Sequence, residues 1–435
     1  MTLTGRFVAL LALGVVPIVL LGRTPGVAVA VLGLWVLAVL ALGILDLALA
    51  GSPRRVVLAR SLPSRVRLGE TVTSELYLTN TGTRRLNMVV RDAWQPSAGA
   101  GNNRTKLALP PGERRVVSLR LTPLRRGERR VDRVTLRSFG PLGLWARQAT
   151  LQAPGQIRVL PPFNARKHLP SRITRLKELD GRTSLMVRGQ GTEFDSLREY
   201  VRGDDVRSID WRATARHNDV MVRTWRPERD RRVVVLIDSG RTSAARVDDE
   251  PRLDTAFEAS LLLAALASTA GDHVDFIAYD RRVRGRVKGA QGAELLSRMV
   301  DTMALIEPEL IETDWSAVPG QVRAVTSRQA LVVLITSIDA AGASSALLSV
   351  LPQLTRRHTV IVASVTDPTT LAATHERGNR EEVYRAAAAE RALLDVARVS
   401  AAIRRQGAEV VTGSPADLPP ALADRYIALK AAGRL

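Results

Sequence analysis

The run Leu236-Ile237-Asp238-Ser239-Gly240-Arg241-Thr242-Ser243 ends an apolar stretch with a carboxylate and then a series of hydroxyls. A carboxylate followed by hydroxyls two and four residues later can hold a hard divalent cation through oxygen ligands on one turn. Asp238 and Thr242 meet that pattern, while Gly240 stands where one hydroxyl belongs, so Ser243 or a water would have to complete it. The competing reading is that Asp238 caps the loop that follows. A second concentration of chemistry lies between residues 193 and 226. There Glu193, Asp195, Asp204, Asp205 and Asp210 face Arg198, Arg212 and Arg223, with Phe194, Tyr200, Trp211 and Trp225 expected to hold the segment down. Opposite charges at that density build an ion-pair network or an interaction surface. A catalytic reading would pair Glu193 with one of the aspartates, but nothing else in the chain suggests a sugar cleft.

Other chemistries are excluded by composition. The chain has no Cys, which removes disulfides, thiolate metal sites and cysteine nucleophiles. Its five His residues show no HExxH or paired spacing. No GxGxxG follows a strand, and Gly189-Gln190-Gly191-Thr192 lacks the Lys of a phosphate loop.

Residues 233–435 must position Asp238, and they alternate strands with helices. Apolar runs at 233–237, 274–279, 330–336 and 360–365 read as buried strands, with 283–287 as an edge strand and 409–412 closing the sheet. Helical periodicity covers 254–269, 293–305, 344–356 and about 380–405. This predicts a doubly wound α/β sheet, whose ligand site lies at the carboxyl ends of its strands. Residues 54–162 read differently. The run TVTSELYLTN places Val72, Leu76 and Leu78 on one face, and further alternating runs at 86–90, 117–121 and 131–136 are separated by Gly- and Pro-rich turns. That grammar predicts an antiparallel β-sandwich of immunoglobulin-like type.

Residues 1–53 predict a two-helix transmembrane hairpin. Phe7–Leu21 and Gly26–Leu45 are uncharged apolar runs approaching or reaching the length of a membrane span. A cleaved signal peptide is the competing reading of the first run. Arg54, Arg55 and Arg60 follow the second run, so the positive-inside rule places the rest of the chain in the cytoplasm as part of a two-pass plasma-membrane protein. Net charge is +20 overall, but residues 54–232 hold 38 basic and 17 acidic residues while 233–435 hold 23 and 25. A basic midsection near a bilayer suits anionic lipids. Nucleic acid is not expected, because aromatic residues are only 4% of the chain and no recognisable binding motif is present.

The Asp238 run resembles the DxSxS adhesion site of von Willebrand factor A domains. That resemblance implies a Thr from a second loop, for which Thr313 is the candidate, and an Asp after a third strand, for which Asp339 is the candidate although displaced by two residues. It implies Mg²⁺, with coordination completed by a partner's carboxylate. The run GTEFDSLREYVRGDDVRSIDWRATARHNDVMVRTWRPERDRRVVVLIDSG, residues 191–240, resembles the signature of the domain-of-unknown-function family numbered 58. Members combine a membrane hairpin, a β domain and a von Willebrand factor A-like domain, and they accompany MoxR-type AAA+ ATPases and transglutaminase-like membrane proteins. The resemblance implies domains at 1–53, 54–162, 163–232 (the charged signature) and 233–435. It also implies a non-enzymatic, membrane-anchored scaffold for such an ATPase. The alternative function is a metal-dependent hydrolase or nuclease centred on Asp238.

Overall fold

Thr24 and Pro25 start the longest apolar helix in the chain. The Thr24 hydroxyl accepts the Val27 amide proton, and proline occupies the first turn, where its missing N–H costs nothing. The structure, a computed structural model, describes residues 2–186, 193–217, 219–226, 231–248, 250–339 and 341–435, with only the backbone for 180–186, 193–195, 217, 224–226 and 341–343. The Gly189–Thr192 loop therefore lies outside the described residues, as do the side chains of Glu193 and Asp195. Two units are present, residues 1–160 and 161–435.

In the first unit, strand β1 (Thr2–Leu3) precedes helices α1 (Gly5–Ala12), α2 (Val15–Leu21) and α3 (Pro25–Leu49). Helix α3 has 25 residues and rises about 37 Å, and it alone among the described residues is long and apolar enough to cross a membrane. The first apolar run is divided between two short helices, α1 and α2. It breaks at Leu13-Gly14, because Pro17 has no N–H to continue the ladder and instead sits in the first turn of α2. The break places Gly14 against α3, where a Cβ would stand 2.4 Å from the Trp35 ring. Trp35 Nε1 in turn donates to the Leu10 carbonyl at 3.3 Å.

Strands β2 (Val56–Ser61), β3 (Arg65–Arg67), β4 (Val72–Asn80), β5 (Leu86–Asp92), β6 (Arg104–Leu109), β7 (Arg114–Leu121), β8 (Gly127–Phe139) and β9 (Trp145–Leu160) follow. They form one sheet ordered β1-β9-β8-β5-β6, with β3 also paired to β9, and a second ordered β2-β4-β7. Leu76, Leu78 and Val117 from the three-stranded sheet pack on Met88, Val90, Val134 and Leu136 from the other. Between the sheets Arg60 makes a bidentate bridge to Asp92 at 2.8 Å and donates to Ser74 and the Ala153 carbonyl. Strand β9, which the alternation did not reveal, runs sixteen residues. It accommodates Pro154 because the β8–β9 register shifts between Val131 and Arg133.

Asp46 joins α3 to this β unit. Its side chain is fully buried and accepts the amide protons of Leu142 at 2.7 Å, Leu144 at 2.7 Å and Trp145 at 3.1 Å, in and beside the turn between β8 and β9. Strand β1 adds to the same hairpin through Thr2 opposite Ala146 and Leu3 opposite Trp145.

The second unit opens with α4 (Leu169–Met186), strands β10 (Glu193–Glu199) and β11 (Met221–Arg226), and helix α5 (Trp211–His217) between those strands. β10 and β11 form a two-stranded antiparallel ribbon of their own. Next come β12 (Arg232–Asp238), β13 (Arg246–Val247), β14 (Glu250–Pro251), α6 (Arg252–Thr269), β15 (His273–Tyr279), β16 (Val283–Val287), α7 (Gly292–Ala304) and α8 (Val318–Val325). The remainder is β17 (Leu331–Ile335), α9 (Ala341–Thr355), β18 (Thr359–Val365), α10 (Pro368–Ala373), α11 (Arg380–Arg405), β19 (Glu409–Gly413) and α12 (Leu418–Ala431). The main sheet is ordered β16-β15-β12-β17-β18-β19, parallel except for β16 at its edge.

Alternate residues of the sheet serve opposite faces. Val234, Leu236, Val332 and Leu334 pack with Trp315, Leu351 and Ile403 under α8, α9 and α11. Helix α6 is buried on every side from Leu253 to Ala267, packed by α4, α7 and α12 as well as by strands. Its apolar residues therefore face several neighbours and not one stripe, and Asp254 and Glu258 are buried with them. Strand β12 lies inside the sheet, so its carboxyl end carries Asp238 into the middle of the strand-end rim.

Candidate functional site

Asp238 closes β12 and is only 3% exposed. One carboxylate oxygen accepts the Gly240 amide at 2.8 Å and the Thr313 hydroxyl; the other accepts Thr242 Oγ1 at 3.2 Å and Thr336 Oγ1 at 2.7 Å. Ser243 turns away and donates to the Asp238 carbonyl at 2.6 Å, so it does not replace the missing hydroxyl. Each donor has a structural reason for its place. Thr242 stands on the single turn after β12, and Thr336 follows the end of β17. Thr313 is held by its loop: Glu309 N donates to the Ser239 carbonyl, Arg241 N to the Ile311 carbonyl, and Asp314 N to the Asp280 carbonyl.

The electrostatics separate Asp238 from its neighbour Asp280. Asp280, at the end of β15, is buried but bridged by Arg284; burial pushes its carboxyl upward, while Arg284 and the amides of Arg281 and Arg282 bring it below the usual carboxylate range. Among the described residues Asp238 makes no ion pair. Four neutral donors, the Gly240 amide and the hydroxyls of Thr242, Thr313 and Thr336, satisfy the Asp238 carboxylate instead.

Above it opens a cleft of about 70 Å³ lined in part by Arg241, Thr242, Thr313, Thr336, Asp339 and Ser344. The Ser344 hydroxyl is buried there without a hydrogen-bond partner among the described residues. Asp339 lies on this cleft but belongs to Arg252, which bridges it and donates to Ser337 at 2.9 Å. Arg241 is likewise bridged to Glu312.

These residues fit a hard cation in part. Asp238 with the Thr242, Thr313 and Thr336 hydroxyls offers converging oxygens of the kind Mg²⁺ or Ca²⁺ takes, with the remaining positions left to water or a partner. No cluster of three or more His, Asp or Glu suited to a metal occurs among the described residues. Of the residues expected as ligands, Asp238, Thr242 and Thr313 converge, Asp339 is bridged by Arg252, and Thr336, not expected, also reaches the carboxylate. Gly240 is sterically required. A Cβ there would stand 2.5 Å from the Thr313 hydroxyl and 2.8 Å from the Ile311 carbonyl.

The charged stretch after β10 folds on itself. Arg198 bridges Asp204 at 2.6 Å, and Asp204 also accepts the Val201 amide at 2.9 Å. Asp205 accepts the Arg207 amide, and Asp210 caps α5 through the Arg212 and Ala213 amides while Arg223 bridges it at 2.7 Å. The Ala213 amide and Arg223 hold the Asp210 carboxyl below its ordinary range. These aspartates are structural, each closing a local turn. Trp211 does not hold the segment down: it is 68% exposed.

The family described as "Protein of unknown function DUF58" matches residues 196–410. The similarity to that family spans just under half of the chain. The match takes in both the folded aspartate turns and the strand-end cleft, so the two candidate sites are parts of one DUF58 segment. No curated protein matches the chain. Solved structures match over about a quarter of it. They include the CARDB domain of a Pyrococcus furiosus protein (17% identity, 24% of this chain and 91% of that one, TM-score 0.19). Another is Escherichia coli alpha-2-macroglobulin from its MG7 domain onward (16% identity, 25% and 17%, TM-score 0.21). A FixG-related protein from Vibrio parahaemolyticus is a third (11% identity, 24% and 96%, TM-score 0.16). At such scores they carry no conclusion about this chain.

Thr336 and Ser344 were missed as site residues from sequence. The signal for Thr336 was present in Thr336-Ser337-Ile338-Asp339, where attention went to the displaced carboxylate and not to the hydroxyl at the strand end. Arg252, at the first position of α6, gave no local signal, because its partner Asp339 is 87 residues away.

Proposed function

We propose that this DUF58 chain is a membrane-anchored, non-enzymatic adaptor that engages a MoxR-type AAA+ ATPase through the cleft above Asp238. The observation that carries the reading is the buried Asp238 carboxylate, ringed by three threonine hydroxyls and without a counter-ion among the described residues, at the mouth of a strand-end cleft. Mg²⁺ would supply the missing positive charge and present an open coordination position to a partner's carboxylate. Asp238, Thr242, Thr313 and Thr336 would hold it, and Asp339 would stay with Arg252. The parallel sheet with one antiparallel edge strand and helices on both faces supports a von Willebrand factor A-like domain. The helix α3 supports anchoring in a membrane, with α1 and α2 packed along it as the second arm of a hairpin. The ATPase, and a transglutaminase-like membrane protein as a second partner, come from the family resemblance.

The test is binding of the purified ATPase to the detergent-solubilised full chain. Asp238→Asn should weaken binding at least about tenfold, equivalent to about 1.4 kcal/mol. It should also remove the rise in melting temperature that millimolar Mg²⁺ gives the parent through linkage. Unchanged binding by Asp238→Asn removes the cleft from the interface. Turnover of a phosphodiester by the chain in Mg²⁺, lost in the same variant, would replace the adaptor with a hydrolase.

A further inference from the structure

The stretch from 201 to 212 repeats an apolar–arginine pair every five residues: Val201-Arg202, Val206-Arg207 and Trp211-Arg212. All six side chains are exposed, with Val201 and Val206 at 62% and Trp211 at 68%. The intervening aspartates account for that exposure. Asp204, Asp205 and Asp210 turn back onto backbone amides, and two of them also onto Arg198 and Arg223. The acidic residues therefore build a closed loop that turns the apolar–arginine pairs outward. Backbone bonds at the base, Tyr200 N to the Val220 carbonyl at 2.7 Å and Asp210 N to the Met221 carbonyl at 2.9 Å, tie it to the β10–β11 ribbon.

The geometry points to a bilayer-surface docking loop: Val201, Val206 and Trp211 enter the headgroup region of an anionic membrane while Arg202, Arg207 and Arg212 bind lipid phosphates. A tryptophan and aliphatic side chains beside arginines are the composition of interfacial anchors. Guanidinium groups pair with phosphates in a bidentate manner. The surrounding segment, 161–232, is net basic, with 17 basic and 11 acidic residues. The occupant is a membrane because the chain carries its own apolar helix, α3, which keeps a bilayer within reach and raises the effective concentration of its surface. The inference rests on the anchoring half of the proposed function and is independent of the cleft.

The natural absence of Cys allows a single-site probe. Full-length Val206→Cys, labelled with an environment-sensitive fluorophore, is placed in lipid nanodiscs of neutral phosphatidylcholine, with or without phosphatidylglycerol. In anionic discs the emission should shift to the blue and access of an aqueous quencher should fall severalfold. Salt near 1 M should reverse both, because the Debye length contracts to about 3 Å. Neutralising Arg202, Arg207 and Arg212 to Gln should remove the response, and Trp211→Ala should weaken it severalfold, in chains with unchanged melting curves. Identical emission in both lipids overturns the inference and leaves anchoring intact. A shift that is equal in neutral discs and tracks the number of chains per disc marks a protein–protein face, and overturns it too. A chain that never enters discs of either composition sinks anchoring, and this inference with it.

Discussion

At position 240 a Cβ would meet the Thr313 hydroxyl and the Ile311 carbonyl well inside contact distance, so the departure from DxSxS is a consequence of packing. The loop carrying Thr313 lies against the strand-end backbone, with Arg241 N bonded to the Ile311 carbonyl at 2.8 Å. Restoring the pattern with Gly240→Ser should therefore displace Thr313 from Asp238 and not add a ligand. We expect a loss of about 1–3 kcal/mol in stability, as for overpacking of a filled site, and no larger response to Mg²⁺. Thermal melts of parent and variant with and without metal measure both. A Gly240→Ser chain that melts higher and responds more strongly to Mg²⁺ would show that the loop can yield. Thr242, four residues after Asp238, was legible in sequence because one turn fixes that spacing. Thr313 and Asp339 could be proposed only by resemblance, and Arg252 not at all, since contacts between separate loops leave no periodic trace.

Asp46 shows how an element joint can hide in an apolar sequence. In the sequence it ends a run of twenty uncharged residues; in the fold its carboxylate gathers three amides from the β8–β9 turn. Gly140 makes room for it, since a Cβ there would lie 2.2 Å from an Asp46 oxygen. Asp46→Ala would leave those amides without an acceptor. It should cost about 2–4 kcal/mol and expose the turn to protease, read by the rate of cleavage near residues 140–145. Gly140→Ala would press on the Asp46 carbonyl as well as its side chain, so the double variant should cost somewhat less than the two singly added but more than either alone. At the other end of the chain, Glu409 on β19 accepts from Arg425 and, at 3.0 Å, from Arg434. Arg425 chiefly holds its carboxyl below the ordinary range, against the opposing effect of burial. A depressed carboxyl contributes stability that is complete above the unfolded value, about 4.3, and fades as pH falls through the folded one. Glu409→Gln should therefore be less stable by about 1–2 kcal/mol at neutral pH, with the gap to the parent closing below about pH 4, read from melting curves against pH. The main-sheet strands of 233–435 were legible because buried parallel strands are continuous apolar runs, and four helices by their periodicity, whereas α8, α10 and α12 were not read. Strand β9 was not, because Pro154 and Gly155 punctuate it and only the register shift against β8 absorbs them.

At the scale of the molecule, the first fifty residues leave and return to one place. β1 pairs with Trp145 and Ala146, and Asp46 is bound to Leu142, Leu144 and Trp145. Residues 2 and 46 therefore lie on the same side of any membrane that α3 crosses, and an even number of crossings is required between them. Helix α3 supplies one. Helices α1 and α2 are each too short to span about 30 Å alone and rise together about 25 Å, so the second arm of the proposed hairpin would need both in series. For the proposed hairpin the positive-inside rule would put residues 54–435 in the cytoplasm, since Arg54, Arg55 and Arg60 flank α3 while Arg23 alone occupies the connecting turn. In a chain without native Cys, Ser52→Cys should be unreactive to a membrane-impermeant maleimide in intact cells and reactive after lysis. Arg23→Cys should react in intact cells. Labelling of Ser52→Cys from outside would invert the orientation and place the DUF58 segment beyond the reach of a cytoplasmic ATPase. Silence of Arg23→Cys from outside, with Ser52→Cys also protected, would mean that the arms enter the bilayer and turn back without crossing it.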